Sequence, residues 1–302
     1  MRIVGSMTTL PYRYSNLLRT LKSIEIDKLD ALYLCVPKFA KRLQQPYPEI
    51  PEEIKQYCTI VECEDYGPAT KIVGALMLEE DPDTVIITFD DDIVYSKGTI
   101  DELLEYHKRY PNSGLSASAL LIAHDFPFYS YYCSSTPKLS HFISPVIPEE
   151  GRPFDVLCGF SAALYVRKFF PSKENLDQLL RFIENPDVFM NDDVLFSGYL
   201  SKQNIERRVI PTKYITDSEK VYDPNIDYQK DNHAISSNMP KFIKRFKGAV
   251  KYLQEQDGHF SKFEPQSYSE TGVFIIGIPI LCVIILIFII FLLTRPQSSL
   301  FE

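Results

Sequence analysis

Thr84 to Tyr95 reads TVIITFDDDIVY, an apolar run that ends in three adjacent aspartates, Asp90, Asp91 and Asp92. An uninterrupted run of this kind predicts a strand covered on both faces, as in a parallel sheet flanked by helices. In open α/β sheets ligands bind outside the carboxyl ends of the strands, so these carboxylates are expected to face a site. Three neighbouring carboxylates repel one another unless a cation or hydrogen-bond donors offset the charge. A hard divalent ion held by one or two carboxylates and by phosphate oxygens would do so. Acidic triplets are usually solvated loop tips. The apolar strand before this one, and Ile93-Val94 after it, shift the balance toward a metal site.

Upstream, apolar runs alternate with helical patterns, which is the pattern of βαβ units around a largely parallel sheet. Ile3 to Met7 reads as the first strand, and Tyr14 to Ile24 as a helix with Leu17, Leu18, Leu21 and Ile24 at helical spacing. Ala31 to Val36 and Cys58 to Cys63 read as strands, and a helix opens at Pro68 and runs through Leu78. Thr99 and Glu102 have the spacing of a capping box for a helix that runs to about Tyr110. From 111 to about 155, proline with Ser, Tyr and Phe predicts long loops and short strands. Val156 to Val166 then reads as a buried strand containing a glycine, Asn191 to Lys202 as a helix, and Arg207 to Ile210 as a closing strand. Lys241 to Leu253 is a basic amphipathic helix with Phe242, Phe246, Val250 and Leu253 on one face. It suits an anionic membrane surface and packing against the domain equally well.

The chain has 302 residues, 45% hydrophobic and 24% charged, which is globular and excludes disorder and a small disulfide scaffold. A net charge of −8 and a pI near 5.3 argue against a nucleic-acid binder. Val273 to Leu293 contains no charged residue, and as a helix its 21 residues would be about 31 Å long, the thickness of a bilayer core. We read it as a single transmembrane anchor. The N-terminus lacks the apolar core of a signal peptide, and cations gather before the span with only Arg295 after it. The expected topology is therefore tail-anchored, with the globular part cytosolic. Cys35, Cys58, Cys63, Cys133 and Cys158 show neither a CxxC pair nor zinc-like spacing and read as core thiols, with Cys282 in the span.

Two further motifs accompany the triplet. DYGPATK, Asp65 to Lys71, is a Gly-Pro turn opening a helix, which presents backbone N–H groups and a lysine to a diphosphate, or is simply a helix start with an exposed lysine. NDD, Asn191 to Asp193, opens the later helix and supplies either caps or a general base.

Together MTTLPYR, DYGPATK, FDDD, GFSAALYVRK and NDDVLFSGYL resemble the GT-A class of nucleotide-sugar-dependent glycosyltransferases, near the family-two inverting enzymes, over roughly residues 1–235. The resemblance implies a Rossmann-like (GT-A) α/β domain over residues 1–237; the residues after it read, from their own pattern, as a basic juxtamembrane segment over 238–271, a transmembrane helix over 272–294 and a short tail. It puts Thr8, Thr9 and Arg13 in the first nucleotide-contacting loop, Asp65 at the base or ribose, and Lys71 at the diphosphate. Asp90 would lie near the ribose, and Asp92, with Asp90, would ligate Mn²⁺ or Mg²⁺, Asp91 being the variable middle position. Gly159 and Phe160 would border the donor sugar and acceptor. Asp193 matches the catalytic aspartate, and Asp192 stands where a glutamate is common. His233, in DNHAIS, falls where some of these enzymes place a metal ligand; a surface histidine is the commoner reading.

That resemblance implies a nucleoside-diphosphate sugar as donor, UDP-sugar foremost, and a glycan, lipid or protein acceptor at a membrane. The base takes the acceptor's proton while the metal and Lys71 stabilise the departing diphosphate, and a single displacement inverts the anomeric centre. FDDDIVY also fits a haloacid-dehalogenase-like phosphatase with Asp90 as nucleophile, although two βα units precede it here. A nucleotidyltransferase shares the nucleotide fold and metal logic, and a non-catalytic tail-anchored scaffold is the alternative outside enzymes.

Overall fold

The computed structural model describes residues 1–122, 129–132, 152–211, 219–220, 239–257 and 259. The expected span at 273–293, His233, Cys133, Cys282 and much of 111–155 lie outside the described residues. By internal contacts the chain divides into Met1–Phe263 and Glu264–Glu302, and every described residue belongs to the first unit.

The chain begins with β1 (Ile3–Thr8), α1 (Tyr14–Ser23), β2 (Ala31–Pro37), the two-residue strands β3 (Phe39–Ala40) and β4 (Gln45–Pro46), the short α2 (Glu52–Lys55), β5 (Thr59–Cys63), α3 (Thr70–Leu78) and β6 (Val85–Phe89). There follow β7 (Ile93–Val94), α4 (Thr99–Arg109), β8 (Ser113–Ser116), β9 (Ser118–Leu121), β10 (Tyr129–Tyr132), β11 (Arg152–Pro153), β12 (Val156–Leu157) and β13 (Ala163–Val166). Then come the short helices α5 (Asp177–Leu180) and α6 (Pro186–Phe189), α7 (Asp192–Lys202), β14 (Glu206–Val209), β15 (Glu219–Lys220) and α8 (Met239–Asp257).

Among the described residues eight strands form one mixed sheet in the order β11-β14-β8-β13-β6-β1-β2-β5. The half built from the first 90 residues is parallel: β1 pairs with β2 and β6, and β2 with β5. Farther along, β13 runs antiparallel between β6 and β8, while β14 is parallel to β8. This is an α/β, Rossmann-like architecture. Successive residues of a strand face opposite ways, and both faces are apolar, as the run TVIITF predicts. Val4, Tyr33, Cys35, Ile86, Ala163 and Tyr165 face a core completed by Ile72 and Leu76 of α3, Leu195 and Phe196 of α7, and Phe246 and Val250 of α8. Met7, Leu32, Leu34, Val85, Ile87 and Leu164 face a second core with Leu17 and Leu21 of α1 and Ile100 and Leu103 of α4.

Two expectations from the sequence are corrected here. Val156 to Val166 is not one strand: a 3-10 turn at Gly159–Ser161 breaks it, and Ala162 adopts φ 71°. The first piece, β12, joins β9 and β10 in a separate three-stranded sheet, and the second enters the main sheet. Thr99 does not cap α4. Gly98, at φ 92°, takes the N-cap position, and the Thr99 hydroxyl donates to the carbonyl of Ser96 at 2.7 Å. Of the two roles open to the basic helix, packing is the one seen for its apolar face. Phe246, Ala249, Val250 and Leu253 of α8 are buried in the core, and α8 lies against α6 and α7.

Gly67 starts the turn into α3 at φ 64°, and a Cβ there would overlap the backbone oxygen of Phe189. A side chain meets both left-handed strain and a backbone atom that has no room to move. Gly67→Ala is expected to lower stability by about 1–3 kcal/mol. The effect would appear as a lower urea midpoint at unchanged slope.

Candidate active site

The chain leaves β1 through α1 toward β2, continues to β5, and returns through α3 to place β6 on the other edge of β1. α1 and α3 therefore lie on opposite faces of the sheet, and the crevice between the carboxyl ends of β1 and β6 is a topological switch point. The carboxyl end of β1 and the loop after it carry Thr8 to Arg13, the loop after β5 and the first turn of α3 carry Asp65 to Lys71, and the turn after β6 carries Asp90 to Asp92. The sequence motifs thus share one edge of the sheet.

Lys71 is the hub of that edge. Its ammonium lies 2.9 Å from Asp90 Oδ1 and 2.9 Å from Asp192 Oδ2. Two features of α3 hold it there: the Ser6 hydroxyl of β1 donates to the Lys71 carbonyl, and Gly74 lets the helix sit so close to β2 that a Cβ would overlap Cys35 Sγ. Burial alone would strip the charge from a lysine. The carboxylates of Asp192, Asp90 and Asp193 outweigh burial and hold its pKa well above the usual value. The Lys71–Asp192 contact lacks hydrogen-bond alignment, which leaves Asp192 Oδ2 buried without a hydrogen-bond partner among the described residues.

Asp192 and Asp193 open α7, where the helix dipole favours negative charge. Neither is the N-cap. That position is Asn191, whose side-chain amide donates to the carbonyl of Asp187 at 2.6 Å. Asp193 Oδ1 accepts the Gly159 N–H at 2.9 Å. A Cβ on Gly159 would stand 3.0 Å from Lys71 Nζ and 3.2 Å from Asp193 Oδ1, so the break in the predicted strand brings a backbone N–H where a side chain would crowd both charges. Burial, followed by the neighbouring Asp192 charge, pushes the Asp193 carboxyl up to about 8, against the pull of Lys71 and the Gly159 N–H.

The aspartate triplet divides. Asp91 turns inward, where its carboxylate accepts the Thr9 hydroxyl at 2.7 Å and the Arg13 guanidinium at 2.6 Å, and its carbonyl accepts the Thr20 hydroxyl at 3.0 Å. The middle aspartate therefore anchors the loop after β1 to the loop after β6. Arg13 also stands 3.6 Å from Asp92 Oδ2. The Asp90 N–H donates to Tyr95 Oη at 2.8 Å, and Ser23 accepts the Tyr95 N–H at 2.9 Å, tying the turn to α1.

Other expected residues stand apart from the Lys71 cluster. Asp65 is buried, with its carboxylate accepting the N–H groups of Lys41 at 2.6 Å and Gly67 at 2.7 Å. Thr8 donates to the carbonyl of Cys35 at 2.8 Å. Phe160 follows Gly159 with its side chain exposed. Tyr95, Ser23, Thr20 and Lys41 were not expected. Tyr95 was visible only as the aromatic end of FDDDIVY, and the others carry no local signal because their partners are distant in sequence.

Among the described residues no group of three or more His, Cys, Asp or Glu side chains is arranged to hold a metal ion. A divalent cation at this edge would need a bound diphosphate to complete the oxygen set begun by Asp90 and Asp92, which Mg²⁺ and Mn²⁺ accept. The outer aspartates keep solvent access for such a role: the side chains of Asp90 and Asp92 are 27% and 14% exposed, against 7% for Asp91.

The raised Asp193 pKa has a consequence for stability. Between 3.8 and about 8 the unfolded chain has lost this proton while the folded chain keeps it, so its contribution to stability falls as pH rises across that window and levels off above it. Asp193→Asn is expected to flatten that part of the stability–pH profile, read by urea unfolding at several pH values. Identical slopes in the two proteins would contradict it. No family model matches the chain, and no curated protein matches it.

Proposed function

We propose that this chain is a glycosyltransferase of the GT-A type that moves a sugar from a nucleoside diphosphate to an acceptor hydroxyl. One observation carries the reading. At the switch point of a parallel sheet, Lys71 joins an aspartate of the β6 strand end to the aspartate pair that opens α7. Such crevices suit nucleotides, and a carboxylate with a pKa near 8 suits a base working near neutral pH.

In this reading the loop of Thr8, Thr9 and Arg13 borders the nucleotide, and Asp65 shapes the turn at its base or ribose. Asp90 and Asp92 would hold Mn²⁺ or Mg²⁺ together with the donor diphosphate, and the chemistry such an ion would supply is stabilisation of the charge on the departing diphosphate. Asp193 takes the proton of the attacking hydroxyl. The acceptor oxygen bonds to the anomeric carbon as the bond to the β-phosphate oxygen breaks, and the electron pair leaves with the nucleoside diphosphate. Asp192 and Lys71 keep Asp193 in place, and the absence of a side chain at Gly159 leaves room beside it. UDP-sugar is the favoured donor. The acceptor is a glycan, lipid or protein hydroxyl, and the apolar stretch at 273–293 favours one near a membrane.

The test titrates UDP, GDP and CDP into the full chain in detergent by calorimetry, with and without Mn²⁺. One nucleoside diphosphate is expected to bind in a metal-dependent way, and Asp92→Ala to lose that dependence. Asp193→Asn is expected to keep nucleotide binding while turnover with the matching sugar donor falls by about 10²–10⁴-fold. Absence of nucleotide binding in the presence of metal would overturn the reading. Vanadate-sensitive phosphatase activity would then assign Asp90 as a nucleophile, and silence in both assays would leave a scaffold.

A further inference from the structure

The helix α8 has two faces with separate fates. Phe246, Ala249, Val250 and Leu253 are buried against the core, with α6 and α7 beneath them. At about 100° per residue, Lys241, Lys244, Lys247 and Lys251 fall on the opposite side. Lys241, Lys244 and Lys251 are exposed, and Arg245 and Lys247 are half-buried at the margins. Among the described residues, Asp187 of α6 reaches this side of α8 at Gly248, between Lys244 and Lys251, Glu255 stands 3.8 Å from Lys251, and Asp257 ends the helix. In a chain of net charge −8, this side of α8 still carries more cations than acids among the described residues.

We infer that this face docks on an anionic lipid surface. The apolar side of α8 is already used in the core, so the helix cannot insert as an amphipathic one; what remains is electrostatic contact with headgroups. Location supplies the second argument. Residues 258–272 separate α8 from the charge-free stretch 273–293, a tether of at most about 55 Å. If that stretch spans a bilayer, the tether length caps how far the cationic face can stand from the headgroups, and each lysine that reaches them attracts anionic lipid. A nucleic acid fits less well, because the stripe is short and the rest of the chain is acidic. The inference rests on the membrane reading of residues 273–293 and not on the transferase reading. It has a consequence for orientation: α7, which begins with Asp192 and Asp193, is one of the two helices beneath α8, so docking would hold the acidic site close to the membrane.

The test reconstitutes the full chain with vesicles of phosphatidylcholine alone and vesicles containing about one-third phosphatidylserine. Lysine acetylation rates are then read by mass spectrometry. Lys244 and Lys251 are expected to react about 10-fold more slowly on the anionic vesicles and to recover in high salt, where such contacts are screened. Lys38, whose side chain is 83% exposed on the β2 side of the sheet, serves as the unchanged control. A chain with Lys241→Gln, Lys244→Gln and Lys251→Gln should fold normally and lose about 100-fold in its preference for anionic over neutral vesicles. Equal reactivity on both vesicles, with the chain bound to both, would overturn the docking face alone. A chain that stays off both would overturn the face and the span together, and protection on anionic vesicles by a chain that ignores neutral ones would sustain the face and remove the span. Equal protection by a free oligonucleotide would overturn the assignment to lipid.

Discussion

The ammonium of Lys71, 2.9 Å from Asp90 and 2.9 Å from Asp192, is the interaction on which the arrangement of the site depends. Its partners come from the end of β6 and the start of α7, more than 100 residues apart in sequence. Three carboxylates gathered there without a cation would repel one another strongly, and removing one member of a buried ion pair costs about 3–5 kcal/mol. The lysine therefore holds α7 against the sheet edge and keeps the negative charges at a distance the fold can tolerate. An ion pair of this kind gives little net stability beside an apolar alternative, so its presence at a strand-end crevice points to function more than to folding.

The position of that ammonium is set by contacts too close for ordinary side chains. Gly74 lets α3 press onto β2 at Cys35, and Gly67 turns the chain into α3 against the backbone of Phe189. Gly159 brings its N–H to Asp193 and leaves open the space beside Lys71. Each places backbone where a Cβ would intrude. A local backbone requirement thereby helps to set where the charge stands. Packing of α3 and α7 into one core on the same face of the sheet then keeps both from relaxing away from it.

The sequence discloses the parallel half of the sheet because its signals are local. The runs at Ile3, Ala31, Thr59 and Val85 match strands to within a residue or two, and the helices after them start where Tyr14 and Thr70 stand. It discloses less where structure depends on distant partners. Nothing in VLCGFSAALYV announces that β12 and β13 enter different sheets, since the break brings the Gly159 N–H to Asp193, more than 30 residues downstream in the chain. Thr99 and Glu102 have the right spacing for a capping box, yet Gly98 precedes them and supplies the left-handed N-cap that no other residue adopts as cheaply. The basic periodicity of α8 was legible, whereas the fate of its apolar face depended on α6 and α7.

The triplet Asp90-Asp91-Asp92 shows how one motif can serve both fold and chemistry. β6 ends at Phe89 and the chain turns at Asp91 and Asp92, so the three carboxylates meet three environments. Asp91 is satisfied inside by Thr9 and Arg13, and its carbonyl by Thr20, so it joins α1 and the loop after β1 to the end of β6. That tie fixes the backbone on both sides of it. Asp90 meets Lys71, and Asp92 has Arg13 at 3.6 Å, yet both keep the solvent access that Asp91 lacks. Two internal cations thus stand beside the two carboxylates that a divalent ion would use. A metal arriving alone would have to compete with both. A metal arriving with a diphosphate brings negative charge that Arg13 and Lys71 can meet, so the cations that oppose the free ion favour the ion and the nucleotide together.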